Sequence, residues 1–117
     1  MLFRSVNALF LETGDAARSV RKALYPLVGL MKGAGVDVWR TTPAALKDTR
    51  HLLMVITGSI RLDLPPDIDW LPGALADHLT SVGGALDGQH DQSTVLEWIA
   101  SGATATHGSV RDRKSVV

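Results

Sequence analysis

The stretch that decides the fold is HLLMVIT, residues 51–57, closed by Gly58. Every residue from Leu52 to Ile56 is apolar, so the run lacks the alternation of a strand with one wet face. Its length and continuity suit a parallel strand covered on both faces. Upstream, VNALFL (residues 6–11) is a second run of buried-strand length, and VDVW (residues 36–39) a third. Downstream, residues 103–106 form a fourth strand that ends at His107-Gly108.

The segments between these strands carry helix signals. In residues 16–32, Val20, Leu24, Leu27, Val28 and Met31 recur at helical spacing on one side, after Asp15 as N-cap. Pro26 removes a backbone donor inside that stretch and interrupts it, and Gly33-Ala34-Gly35 stops it. Thr42-Pro43 starts a short helix with proline at its first position. Residues 61–66 read as an irregular crossing with Pro65-Pro66, and residues 73–82 as a short helix ended by Gly83-Gly84. Thr94 and Glu97 have the spacing of a capping box for a helix through Ser101, ended by Gly102. Leu96, Trp98 and Ile99 are expected to pack that last helix onto the sheet, with Trp39 and Trp70 as further core or interface anchors. Strands alternating with helices predict an α/β domain with a mainly parallel sheet and helices on both faces. Ligands in such sheets bind beyond the carboxyl ends of the strands. Here those ends lead into residues 12–15, 40–42, 58–61 and 107–111, and residues 77–91 are placed to fold over the same edge.

The totals narrow the function classes. A chain of 117 residues supports one domain. The formal net charge is zero, which argues against nucleic acid as a partner, because phosphate binding draws on a basic surplus. There is no cysteine, so no disulfide, thiolate metal site or cysteine nucleophile lies within these residues. No apolar run approaches the ~20 residues of a membrane-spanning helix. MLFRSVNALFL, broken by Arg4 and Asn7, reads as a first strand rather than a signal peptide. Residues 112–117, DRKSVV, would be encoded by GAT CGG AAG AGC GTC GTG followed by a TAG stop, a string that matches a common sequencing adapter. The natural domain is therefore expected to be residues 1–111, a fragment of a longer protein, with compartment and ligand left open. A sheet cut after its fourth strand leaves an unpaired edge, which predicts self-association.

Three groups of residues could carry chemistry. On a helix, His78 and Ser81 would share a face, so the histidine could activate the serine. Asp77 points elsewhere, and the plainer reading is that Asp77, Thr80 and Ser81 tie a loop to backbone amides. Asp87, His90 and Asp91, with His78 or His107 added, offer oxygen and imidazole ligands for a divalent metal. Their spacing matches no tight motif, and capping of the following helix is the favoured reading. His107 lies at a strand end before Gly108, where a catalytic base would sit. A half-buried ring bonded to backbone is preferred for it. The glycines of residues 29–35 lie at a helix end, so they form no phosphate loop, and no cofactor is indicated.

Three segments together suggest a family: FLETGDAARSVRKALYPLVGLMKGAGVDV (residues 10–38), LPGALADHLTSVGGALDGQ (71–89) and WIASGATATHGSV (98–110). The chain resembles an uncharacterised group of bacterial proteins that is similar to the caspase-like and gingipain-like peptidases. The resemblance implies a three-layer α/β/α fold with a mainly parallel sheet, caspase-like or flavodoxin-like, within a longer exported or envelope-associated protein. It also implies a test. The gingipain-like mechanism needs His-Gly after one strand and cysteine after the next. HLLMVIT ends in Gly58-Ser59, and no cysteine follows. The expected role is therefore non-catalytic, in binding or structure, with a peptidase-like hydrolase whose nucleophile lies beyond this chain as the alternative.

Overall fold

The computed structural model describes residues 6–31, 35–80, 83–86 and 91–109. HLLMVIT lies at the centre of a five-stranded, all-parallel sheet. The strands are β1 (Val6–Leu11), β2 (Val36–Thr41), β3 (Leu52–Gly58), β4 (Trp70–Leu79) and β5 (Ala105–His107), in the order β2-β1-β3-β4-β5. Parallel neighbours need crossover connections, and these supply two outer layers. A 3₁₀ helix (Val20–Met31) joins β1 to β2, a second (Pro43–Lys47) joins β2 to β3, and α1 (Val95–Ser101) joins β4 to β5.

Alternation along each strand divides the core between the two faces. On one face, Leu9, Leu11, Leu52, Val55 and Ala76 meet Leu46 of the second 3₁₀ helix, Ile68 of the β3–β4 crossing and Trp98 of α1. On the other, Ala8 and Phe10 meet Tyr25 of the first 3₁₀ helix, with Val36, Val38, Met54 and Ile56 packed around them. The Phe10 and Tyr25 rings meet edge to face at 5.4 Å, and the Tyr25 hydroxyl donates to the carbonyls of Leu11 and Ile56, both at 3.3 Å. Burial raises the Tyr25 pKa above its ordinary value, which keeps that donor protonated.

The α/β class, the parallel sheet and the two helical layers follow the reading of the sequence, and four particulars differ. First, residues 73–79, read as the start of a helix, belong to β4, so the sheet has five strands among the described residues, not four. Proline and glycine hide this strand because they sit in a bulge. Leu52 pairs with Trp70 and Met54 with Leu75, so the extra residues, including Gly73 at φ +87°, bow out of the ladder. Second, the stretch after β1 is a turn followed by a 3₁₀ helix rather than an α-helix. Asp15 does cap this turn, accepting from the Arg18 amide at 3.1 Å. Third, at three residues per turn the expected stripe disperses, and Val20, Leu24 and Leu27 are exposed while Tyr25 is buried. Fourth, α1 buries Trp98 alone; Leu96, Ile99 and, on β2, Trp39 are exposed. The caps of α1 are as expected: the Thr94 amide donates to Glu97 Oε2 at 2.7 Å, completing the capping box, and Gly102 closes the helix at φ +113°.

Candidate functional site

All the strands point the same way, so Glu12, Arg40, Gly58 and His107 gather at one edge of the sheet. The crevice between β1 and β3, where neighbouring connections diverge, is the usual ligand position in such a sheet. This chain fills it with its own backbone. Thr13 Oγ1 donates to the Gly58 carbonyl, and Ser19 Oγ reaches the same oxygen at 3.3 Å. A Cβ at Gly58 would stand 1.7 Å from the Arg18 carbonyl oxygen, so only glycine admits this approach. Beside it, Arg40 bonds Glu12 at 2.9 Å, and this hydrogen bond holds the Glu12 carboxyl below its ordinary pKa.

Open space lies two strands further along. Register places Asp77 of β4 between Ile56 of β3 and His107 of β5. Asp77 Oδ2 takes a short contact from Arg21 of the first 3₁₀ helix, and the same guanidinium donates to the Thr57 carbonyl at 3.4 Å. His107 Nε2 lies 3.2 Å from Asp77 Oδ1, an ion pair whenever the ring is protonated. That oxygen is buried and accepts no aligned hydrogen bond. The ring of His107 is 77% exposed. Next to this trio, Met54, Ile56, Leu75 and Ala105 line a cavity of about 320 Å³ that ends at Asp77 and His107. The arrangement offers an aliphatic floor with a mixed-charge polar end.

His78, the next residue on β4, faces the opposite side and is 4% exposed. Trp98 Nε1–H donates to its Nδ1 at 3.1 Å, so that nitrogen must be unprotonated. Nε2 therefore carries the proton and donates to the Ser59 carbonyl at 3.0 Å, with Ser59 Oγ at 3.2 Å. The Ser59 hydroxyl in turn donates to the Arg61 carbonyl at 3.0 Å. The Trp98 ring stands edge to face with the imidazole at 5.6 Å. Desolvation lowers the His78 pKa, outweighing the opposing effect of the Ser59 bond. Both ring nitrogens are thus committed to holding α1 and the β3–β4 crossing to the sheet.

Of the site candidates read from the sequence, His78, Asp91 and His107 are described, and each is held by different partners. A strand, not a helix, carries His78, which removes the helical spacing that set it beside Ser81; Ser81 itself lies outside the described residues. Asp87 and His90 also lie outside them. Asp91 is exposed and 3.9 Å from Arg61, which also approaches Glu97 at 3.4 Å and Asp63 at 3.8 Å. Among the described residues no group of three or more such side chains is placed to hold a metal ion. His107 is exposed and faces a carboxylate, not half-buried against backbone. Arg21 and the cavity were not legible in the sequence. Their only signal was Leu75 and Asp77 alternating with Ala74, Ala76 and His78, which the adjoining Pro72-Gly73 masked.

Among the described residues no helix is long and apolar enough to cross a membrane. No family model, curated protein or solved structure matches the chain. The class is thus set by the fold alone: an α/β domain with a five-stranded parallel sheet.

Proposed function

We propose that this chain is a non-catalytic binding domain of a larger bacterial protein, distantly related to the caspase-like peptidases. It receives its ligand in the β4–β5 groove. The observation that carries this reading is the polar trio of Arg21, Asp77 and His107 at the end of an open aliphatic cavity. Apolar pockets with a few convergent polar groups are the general form of a ligand site. The zero net charge favours a ligand other than nucleic acid. The test is a methyl NMR titration with N-methyl isovaleramide, an aliphatic body with one N–H donor. Saturable shifts confined to Met54, Ile56 and Leu75 are expected, without turnover of fluorogenic amide or ester substrates. Shifts elsewhere, or none, refute the reading.

One observation favours the hydrolase alternative. His107-Gly108 follows a parallel strand, and Asp77 stands beside its ring. In a longer gene product, a cysteine or serine following Val110 could attack a carbonyl while His107 takes the proton. Peptide hydrolysis by that product, abolished by His107→Ala, is the expected sign. A longer product without such a nucleophile, or without turnover, ends this alternative.

A further inference from the structure

Handedness leaves this sheet unevenly covered. Right-handed crossovers that move across a parallel sheet in one direction share a face, and one that moves back takes the other. The β2–β3, β3–β4 and β4–β5 connections all move the same way and place Leu46, Ile68 and Trp98 on one face. Only the β1–β2 connection moves back, so among the described residues the first 3₁₀ helix alone packs on the other face, through Tyr25. It forms a ridge there. The floor over β4 and β5 beside it is a trough, in which Leu75 is 46% exposed.

The ridge is apolar where it meets water. Residues three apart line up along a 3₁₀ helix. Tyr25 puts one row against the sheet; of the other two, one holds Val20, Ala23 and Pro26, and one Arg21, Leu24 and Leu27. Val20, Leu24 and Leu27 are 64%, 60% and 58% exposed, and Ala23 and Pro26 are exposed as well. Arg21 reaches Asp77 on β4, so its row borders the trough. Steps of ~6 Å along that row nearly match the ~6.6 Å between alternate strand residues, which sets Leu24 level with Leu75. Ridge and trough thus make one continuous apolar patch, the mark of a protein interface.

We infer that a second copy of this chain covers the patch, each copy's 3₁₀ helix lying in the other's trough. A ridge beside a parallel trough is self-complementary: a two-fold axis along their boundary, parallel to the strands, carries each ridge into the opposite trough. Val20, Ala23 and Pro26 then meet the partner's trough floor, while Leu24 and Leu27 meet their own symmetry mates. Arg21 also nears the axis, but Asp77 of its own sheet offsets its charge. The helix has 12 residues and is ~24 Å long. With ridge and trough each ~10 Å wide, roughly 500 Å² per copy and about 1,000 Å² in all is covered, the lower bound of a specific interface. A small ligand or short peptide in the trough leaves Val20, Ala23 and Pro26 in water; a second copy buries both parts. The zero net charge sets up no repulsion between copies. This goes beyond the binding reading, which needs the trough alone: ligand and second copy compete for it.

The test is sedimentation velocity of the full chain over rising concentration, where a monomer–dimer equilibrium is expected. Leu24→Glu brings two carboxylates together across the axis and weakens dimerisation at least ~100-fold; Val20→Glu, set against the partner's trough, weakens it as well. Leu96→Glu, at a leucine 54% exposed on the opposite face, leaves it unchanged. All three side chains are exposed, so the variants keep native amide dispersion. The chain has no cysteine, so Leu24→Cys also reports position: oxidation links it across the axis, and Leu96→Cys stays unlinked. A chain monomeric at every concentration, a dimer indifferent to Leu24→Glu, or one broken equally by Leu96→Glu overturns the proposal. If such a monomer still binds N-methyl isovaleramide in the trough, the binding reading stands. If a dimer forms as described but the Leu24→Glu monomer does not bind that amide, the binding reading falls and the dimer remains.

Discussion

His78 and Trp98 provide the sharpest test of how this domain is held together. Replacing His78 with phenylalanine keeps a ring of similar size against Trp98 but removes both nitrogens. Trp98 is 1% exposed, so its indole N–H loses its acceptor with no water to replace it. The Ser59 carbonyl loses its donor as well. Leaving a buried polar group unpaired costs about 1–3 kcal/mol, so two such groups cost about 2–6 kcal/mol. Small domains are stable by only about 5–15 kcal/mol, so much of the native stability is at stake. Trp98→Phe removes the donor from the other side, and the double variant no longer strands it. The two substitutions should therefore be sub-additive by about 1–2 kcal/mol. Urea unfolding followed by far-ultraviolet circular dichroism of the four species measures this coupling. A His78→Phe cost below about 0.5 kcal/mol, the size of an ordinary surface change, or strictly additive effects, would refute the assignment of Nδ1 as acceptor.

Three further outcomes are expected. Because burial lowers the His78 pKa in the folded chain, the unfolded chain binds the proton first on acidification. His78's contribution is then complete above its ordinary value of 6.5 and declines as the pH falls below it; urea midpoints at pH 7.5 and 5.5 should differ more in the parent than in His78→Phe, and equal differences would remove His78 as the cause. Gly58→Ala forces a Cβ onto the Arg18 carbonyl and should cost at least the ~1–3 kcal/mol typical of overpacking; an unchanged melting temperature would show that residues 12–19 do not close that crevice. Glu97→Ala opens the capping box of α1 and should cost about 1 kcal/mol, seen as a lower urea midpoint with the slope unchanged; no shift would mean that the cap contributes nothing to α1.

What could be read from the sequence was whatever a single local signal determines. The continuous apolar run at residues 52–56 identified a doubly covered parallel strand, and the Thr94 to Gly102 pattern identified α1 with both its caps. β4 was illegible because a bulge needs Pro72 and Gly73, residues that otherwise mark turns. The first helix was misread in its period: Pro26 within it accompanies a tighter winding that turns Tyr25 inward and Leu24 outward. The groove was hidden for a different reason. Arg21, Asp77 and His107 come from three elements far apart in the chain, and only the strand order makes them neighbours.

The β4 bulge also governs which length changes the gene can absorb. Between Leu52/Trp70 and Met54/Leu75, β4 carries more residues than β3 must match, so the slack lies in residues 71–73, short of the buried Ala74. A one-residue deletion there shortens the bow and leaves Asp77 and His78 on their present faces. The same deletion between Leu75 and Asp77 shifts the alternation by one and exchanges the faces of every residue that follows on the strand. A carboxylate would then meet Trp98 in the core, and the imidazole would stand beside Arg21. Two neighbouring codon losses thus have opposite consequences, one silent and one fatal to the fold.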